Sequence, residues 1–101
     1  MFKNLQQMQQ ILKQAQAMQE RLKRELEELS VEASAGGGMV SVTMNGNKVI
    51  TRLVIDPQVV NKDDVEMLQD LLVAAVNEAA RKVEERVQQQ VAGELRIPGL
   101  L

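Results

Sequence analysis

The chain has 101 residues and a formal net charge of −2, with no Cys, His, Trp or Tyr and with Phe2 as its single aromatic residue. That length supports one domain, and without Cys or His it offers no disulfide framework, thiol nucleophile, zinc site or ordinary general base. Carboxylates, Lys, Arg, Ser and Thr remain with no nucleophile–base pair among them, so a binding protein is expected, without enzymatic activity, cofactor or small-molecule substrate.

Residues 3–30 read as a long helix. Leu5, Met8, Leu12, Ala15, Gln19, Leu22, Leu26 and Leu29 recur at spacings of three and four, the a/d seam of a heptad, with Ile11 and Met18 beside it. Gln, Glu, Lys and Arg fill the other positions, and no Gly or Pro interrupts them. About 27 helical residues span about 40 Å, whereas a compact domain of this size has a radius of gyration of only about 13 Å. The helix therefore outruns any monomeric core while its apolar stripe continues. A second copy of the chain is the expected cover, with Leu5, Met8, Leu12, Ala15, Leu22 and Leu26 as interface candidates.

The period then changes. Strands are expected at 31–35, 39–44 and 48–55, where β-branched residues concentrate. Gly36-Gly37-Gly38 separates the first two. It lacks the following helix and Lys-Ser/Thr of a nucleotide loop, so a turn is the better reading. Asn45-Gly46 signals a two-residue type I′ hairpin. That register pairs Met44 with Asn47 and Val42 with Val49, and it places Val40, Val42, Val49, Thr51, Leu53 and Ile55 on one face. Asp56-Pro57 ends the last strand.

Asn61 is the expected N-cap of a second helix over about 62–92, with Asp63, Asp64 and Glu66 in its first turn. Val65, Leu68, Leu72, Val76, Ala79, Val83 and Val87 form its stripe, and Ala74, Ala75, Ala79 and Ala80 leave room for another helix. Gly93 is the expected stop, giving one domain over 1–93 and a mobile tail over 94–101. The expected class is α+β, in the order α-β-β-β-α, with two long helices flanking a short antiparallel three-stranded sheet.

No apolar run approaches the ~20 residues of a membrane span, and the N-terminal region carries Gln6 and Gln7 where a secretory leader is apolar. A cytosolic chain without a membrane partner is expected. Asp63-Asp64 and Glu84-Glu85 are explained by a helix start and a solvated face, so no metal is assigned. The net charge by itself does not point to nucleic acid. On residues alone, Glu20 with Arg24 and Glu78 with Lys82 are well-oriented i,i+4 pairs worth about 0.2–0.5 kcal/mol each.

The run Gly36-Gly37-Gly38-Met39-Val40-Ser41-Val42-Thr43-Met44-Asn45-Gly46, followed by Ile55-Asp56-Pro57, resembles the central signature of the YbaB/EbfC family of bacterial nucleoid-associated proteins. Residues 66–82, Lys13-Gln14-Ala15-Gln16-Ala17-Met18-Gln19 and Pro98-Gly99 fit the same family, in the same order and over nearly the whole chain. The resemblance implies an intertwined, tweezer-like homodimer on the nucleoid that binds double-stranded DNA and alters its conformation. Lys3, Lys13, Arg21, Lys23, Arg24, Arg81, Lys82 and Arg86 are then the candidate DNA contacts, made mainly to the backbone, since the missing aromatics disfavour base stacking. The alternative is a helical clamp resembling prefoldin, holding protein clients at apolar helix tips without DNA.

Overall fold

The computed structural model describes residues 2–94. Phe2–Glu28 forms one helix, α1, as its unbroken run of straight-chain residues dictates. From Asn4 to Arg21 every residue is exposed; Leu22, Glu25 and Leu26 are the first to be partly covered. The molecule measures 75 × 27 × 16 Å with a radius of gyration of 20.5 Å, well above that of a compact chain, because α1 projects. Leu29 N–H still donates to the Glu25 carbonyl at 2.9 Å, and at Ser30 the backbone becomes a strand.

Three antiparallel strands, β1 (Ser30–Ala35), β2 (Val40–Asn45) and β3 (Ile50–Ile55), lie in the order β1-β2-β3. Gly36, Gly37 and Gly38 all take positive φ, at 64°, 68° and 92°, which explains the glycine run between β1 and β2. Alternation then sorts the side chains. Val31 and Ala33 of β1 and Val40, Val42 and Met44 of β2 are buried on one face, whereas Ser30, Glu32 and Ser34 face out.

The β2–β3 hairpin differs from the expected one. Its loop has three residues, not two: the Lys48 N–H donates to the Asn45 carbonyl at 3.0 Å, and the Asn45 N–H donates to the Val49 carbonyl at 2.9 Å. Lys48 takes the left-handed conformation, with φ 62°, as in a three-residue loop closed by a bulge. The Asn45 side chain favours this loop, its Oδ1 accepting from the N–H groups of Asn47 and Val49 at 2.9 and 3.1 Å. Gly46 serves close approach to the helix. Its N–H donates to the Leu26 carbonyl at 2.8 Å, and a Cβ there would lie 2.6 Å from that same oxygen. Met44 therefore faces Ile50, Val42 faces Leu53 and Val40 faces Ile55. Thr51 is the extra residue at a bulge, its hydroxyl donating to the Thr43 carbonyl at 3.3 Å. Val49, placed inward by the two-residue loop, is 52% exposed.

After β3, a 3-10 turn at Pro57–Val59 is capped by Asp56, whose Oδ1 accepts from the Gln58 N–H at 2.9 Å, and it buries Val59. The second helix, α2, runs Val65–Glu94. Its cap is Asp64, not Asn61: Asp64 Oδ1 accepts from the Met67 N–H at 3.2 Å. Asn61 instead folds its side chain onto the Asp63 N–H at 2.9 Å, a local turn that competes with helix initiation. Helix continues through Gly93 to Glu94, so the glycine does not stop it. The expected tail beyond Glu94 lies outside the described residues.

α2 crosses β1 and β2, while the last turns of α1 meet the hairpin end of β2 and the C-terminal part of α2. Ala75, Ala79 and Val83 are buried against the sheet. These small residues thus admit the sheet rather than another helix, and Ala74 is exposed. The core is one thin layer: Leu29, Val31, Ala33, Val40, Val42, Met44, Val59, Ala75, Ala79 and Val83. Nothing within the described chain covers β3, where Ile50, Leu53 and Val54 remain 44–46% exposed.

Candidate nucleic-acid interface

The second half of α2 passes over β1, and their junction forms a groove of about 380 Å³ lined by Ser30, Glu32, Arg81, Lys82, Glu85 and Arg86 among others. Three of the eight candidate cations therefore meet on one concave surface. They do not share one electrostatic state. Arg81 forks onto Glu78, with Nη2 2.7 Å from Oε1 and Nε 3.1 Å from Oε2, and its Nη1 lies 3.1 Å from Glu85 Oε2. This bidentate pairing holds the Glu78 carboxyl below its ordinary range and raises the Arg81 guanidinium further above its own.

Lys82 behaves differently. Its Nζ donates to the main-chain carbonyl of Glu32 at 2.9 Å, which places an ammonium on the β1 edge without neutralising it. The expected Glu78–Lys82 pair is replaced by Glu78–Arg81, because the forked guanidinium reaches the carboxylate one turn away. Arg86 is exposed and has no carboxylate partner among the described residues. The groove therefore offers two cations without a direct carboxylate contact, Arg86 and Lys82, the latter still close enough to help hold Glu78 ionised, beside one whose charge is already shared.

On α1, Lys13, Lys23 and Arg24 are exposed along the projecting helix, and none of them lines the groove. Arg21 lies 3.7 Å from Glu25, an i,i+4 pair in place of the expected Glu20–Arg24. The Lys3 side chain lies outside the described residues. Of the interface candidates, Leu5, Met8 and Leu12 are 58–60% exposed and Ala15 is exposed too. Leu22 and Leu26 turn toward α2 of their own chain. With Val87 and Val91 they line an apolar cleft of about 100 Å³, closed by Gln90 Nε2 donating to Glu25 Oε2 at 2.9 Å.

Lys48, on the hairpin loop, pairs with Glu84 of α2 and holds that carboxyl below its ordinary range. The chain has no His, and Arg81 holds the neighbouring Glu78 carboxyl below its ordinary range, so the Glu78–Arg81 pair keeps its charges from about pH 5 to about pH 7. The Glu78–Arg81 pair is lost only as pH falls through the lowered Glu78 value, which leaves Arg81 freer to meet a phosphate. Polyanion affinity at fixed salt should therefore be flat over that window and rise below it. A several-fold change between pH 5 and 7 in either direction would contradict this charge assignment.

Among the described residues no cluster of three or more acidic, His or Cys side chains could hold a metal, and no helix is long and apolar enough to cross a membrane.

Comparison with known proteins agrees with this picture. The model of the YbaB/EbfC DNA-binding family matches residues 2–95. The chain is 52% identical over 96 residues to a nucleoid-associated protein of Thermoanaerobacter pseudethanolicus, covering 89% of this chain and 86% of that one. It is 54% identical over 97 residues to a nucleoid-associated protein of Acetivibrio thermocellus, with the same coverage. Its fold is similar to the crystal structure of an uncharacterized protein from Helicobacter pylori, with a TM-score of 0.75, 28% identity, and coverage of 89% of this chain and 95% of that one. A match over nearly the full length, in sequence and in element order, establishes that the chain belongs to the YbaB/EbfC DNA-binding family.

Proposed function

We propose that this protein is a homodimeric, nucleoid-associated protein that binds double-stranded DNA without catalysis and mainly through phosphate contacts. The observation that carries the reading is the β1–α2 groove, where Lys82 and Arg86 stand without carboxylate partners in a chain of a DNA-binding family. The exposed cations of α1, Lys13, Lys23 and Arg24, extend the contact along the duplex, and Arg21 and Lys3 lie on the same helix. Arg81 serves chiefly to hold Glu78 and Glu85 away from the incoming phosphate. Contacts of this kind position a protein on DNA and carry little sequence information. Projecting helices that follow the backbone would bend or constrain the duplex, which is how such a protein alters DNA conformation and influences gene expression.

The reading predicts near-equal affinity for unrelated duplexes of equal length. A competition titration among several random-sequence duplexes at low salt measures this. Preference for one sequence by 100-fold or more would require base readout, and absence of binding to all of them would overturn the function.

The helical-clamp reading draws support from one feature, the exposure of Leu5, Met8, Ile11 and Leu12 along α1. Suppression of client aggregation together with no duplex binding would favour it over DNA.

A further inference from the structure

The apolar face of α1 has two halves with different surroundings. Near the sheet, Leu22 and Leu26 meet Val87 and Val91 of α2 across the apolar cleft. α1 runs toward the sheet there and α2 runs away from it, so the two helices are antiparallel. Farther out the same face continues uncovered. At about 100° per residue, Met18, Ala15, Ile11 and Met8 all fall within about 40° of Leu22 around the helix, while Lys13 and Arg24 lie on the opposite side. Met8, Ile11 and Met18 are 51–63% exposed. Most helical stability comes from packing of an apolar face rather than from propensity, and among the described residues nothing packs on this stretch.

We infer that the segment following α2, Leu95-Arg96-Ile97-Pro98-Gly99-Leu100-Leu101, lies along this stripe of its own α1 as an apolar strap over Met18, Ala15, Ile11 and Met8. Three observations commit the stripe to this occupant. The first is continuity: α2 already packs on the near half of the face through Val87 and Val91, and the segment begins four residues after Val91, on the outward course. The second is chemistry: four of its seven residues are Leu or Ile and none is acidic, which suits an uncharged face of Met, Ala and Ile. The third is reach. Seven residues at ~3.3 Å each extend about 23 Å, whereas Met18 to Met8 is about 15 Å along the helix. The surplus leaves length for a bend at Pro98-Gly99, and Pro98 disfavours further helix at Ile97.

The strap goes beyond the DNA-binding reading and does not depend on it. It gives the projecting helix the packing it lacks, and it leaves Lys13 and Arg24 open on the far side for phosphate. It also occupies the apolar stretch that a protein client would need, so strap and client compete for the same side chains.

The chain has no cysteine, so an introduced pair can bond only within one chain or between copies. Ile97 comes three residues after Glu94, about 10 Å farther out when extended, which brings it level with the stretch from Leu12 to Ala15. Ala15→Cys is therefore combined with Ile97→Cys in the full chain, and Lys13→Cys with Ile97→Cys, at the same height but on the opposite side, is the comparison. Under mild oxidation the Ala15 pair should close within one chain, losing both thiols at single-chain mass, about 10-fold or more faster than the Lys13 pair. Equal rates for the two pairs would overturn the strap. Bonding of the Ala15 pair only between chains, at double mass, would overturn it too and give the stripe to a second copy. A second measurement needs no cross-link. Ile97→Ser with Leu100→Ser should speed amide hydrogen exchange at residues 8–18 by about 10-fold and leave β2 unchanged. Unaltered exchange at residues 8–18 would contradict the inference.

Discussion

Val42→Asp should abolish folding, whereas Leu53→Asp, directly opposite on the neighbouring strand, should leave the fold intact. Both side chains point to the same face of the sheet, and their Cα atoms are paired. Val42 is fully buried, and the core holds no buried polar or charged residue that could pair with a carboxylate. A carboxyl there faces the cost of desolvation without compensation, several kcal/mol even after its pKa rises to keep it neutral. For a domain whose total stability is about 5–15 kcal/mol and whose core is one layer thick, that loss is decisive. Leu53, nearly half exposed, keeps water beside the new charge, so the subunit's helix content should survive. Leu53→Asp should therefore shift the unfolding midpoint far less than Val42→Asp. Circular dichroism and sedimentation on both variants separate these outcomes. A folded Val42→Asp protein would show the core to be misassigned, and an unfolded Leu53→Asp protein would show that the subunit's fold needs the β3 side chain buried.

The second large effect concerns DNA. Replacing Lys82 and Arg86 together by Gln removes the two groove cations that lack carboxylate partners. Taking away one cation–phosphate interaction weakens duplex binding by about 8-fold at 0.1 M salt, so the double variant should bind about 60-fold more weakly for each chain engaged. Arg81→Gln should cost less than either single change, because its guanidinium is already shared between Glu78 and Glu85, and releasing those carboxylates offsets part of the gain in access. Fluorescence anisotropy with a labelled random duplex reads all three. Equal losses at Arg81, Lys82 and Arg86 would mean that the intrachain pairs open freely when DNA arrives. The double variant retaining full affinity would shift the DNA-binding surface to α1.

Local chemistry made most of the fold legible. Helix α1 follows from spacing and composition alone, and the glycine run, the three strands and α2 follow from period and turn signals. The β2–β3 register was not legible, because Asn45-Gly46 satisfies two competing demands. Its residue types suit a two-residue turn, yet the Asn45 side chain closes a longer one and Gly46 is needed for approach to Leu26, a contact from another element. That one-residue difference brings Ile50 to the inner face in place of Val49 and Thr51, and the bulge at Thr51 returns Leu53 and Ile55 to the side expected for them. The Asn61 expectation failed for a related reason: Asn61, Asp63 and Asp64 are all capping residue types, and the last of them is the one in line with the helix. As for the site, sequence supplied Arg81, Lys82 and Arg86 as a cluster. It could not show that Arg81 is held by two carboxylates or that Ser30 and Glu32 complete the groove, since the groove joins segments about fifty residues apart. Nor could it separate Leu22 and Leu26, which pack on α2 of the same chain, from Leu5, Met8 and Leu12, which extend beyond it.

The most direct test of phosphate-dominated binding is the dependence of duplex affinity on salt. The two groove cations from each of two chains alone give log K a slope against log salt of about −3.6, a loss on the order of 100-fold between 50 and 200 mM, and every α1 cation on the backbone steepens it by about 0.9. An affinity that is unchanged across that range would contradict the account.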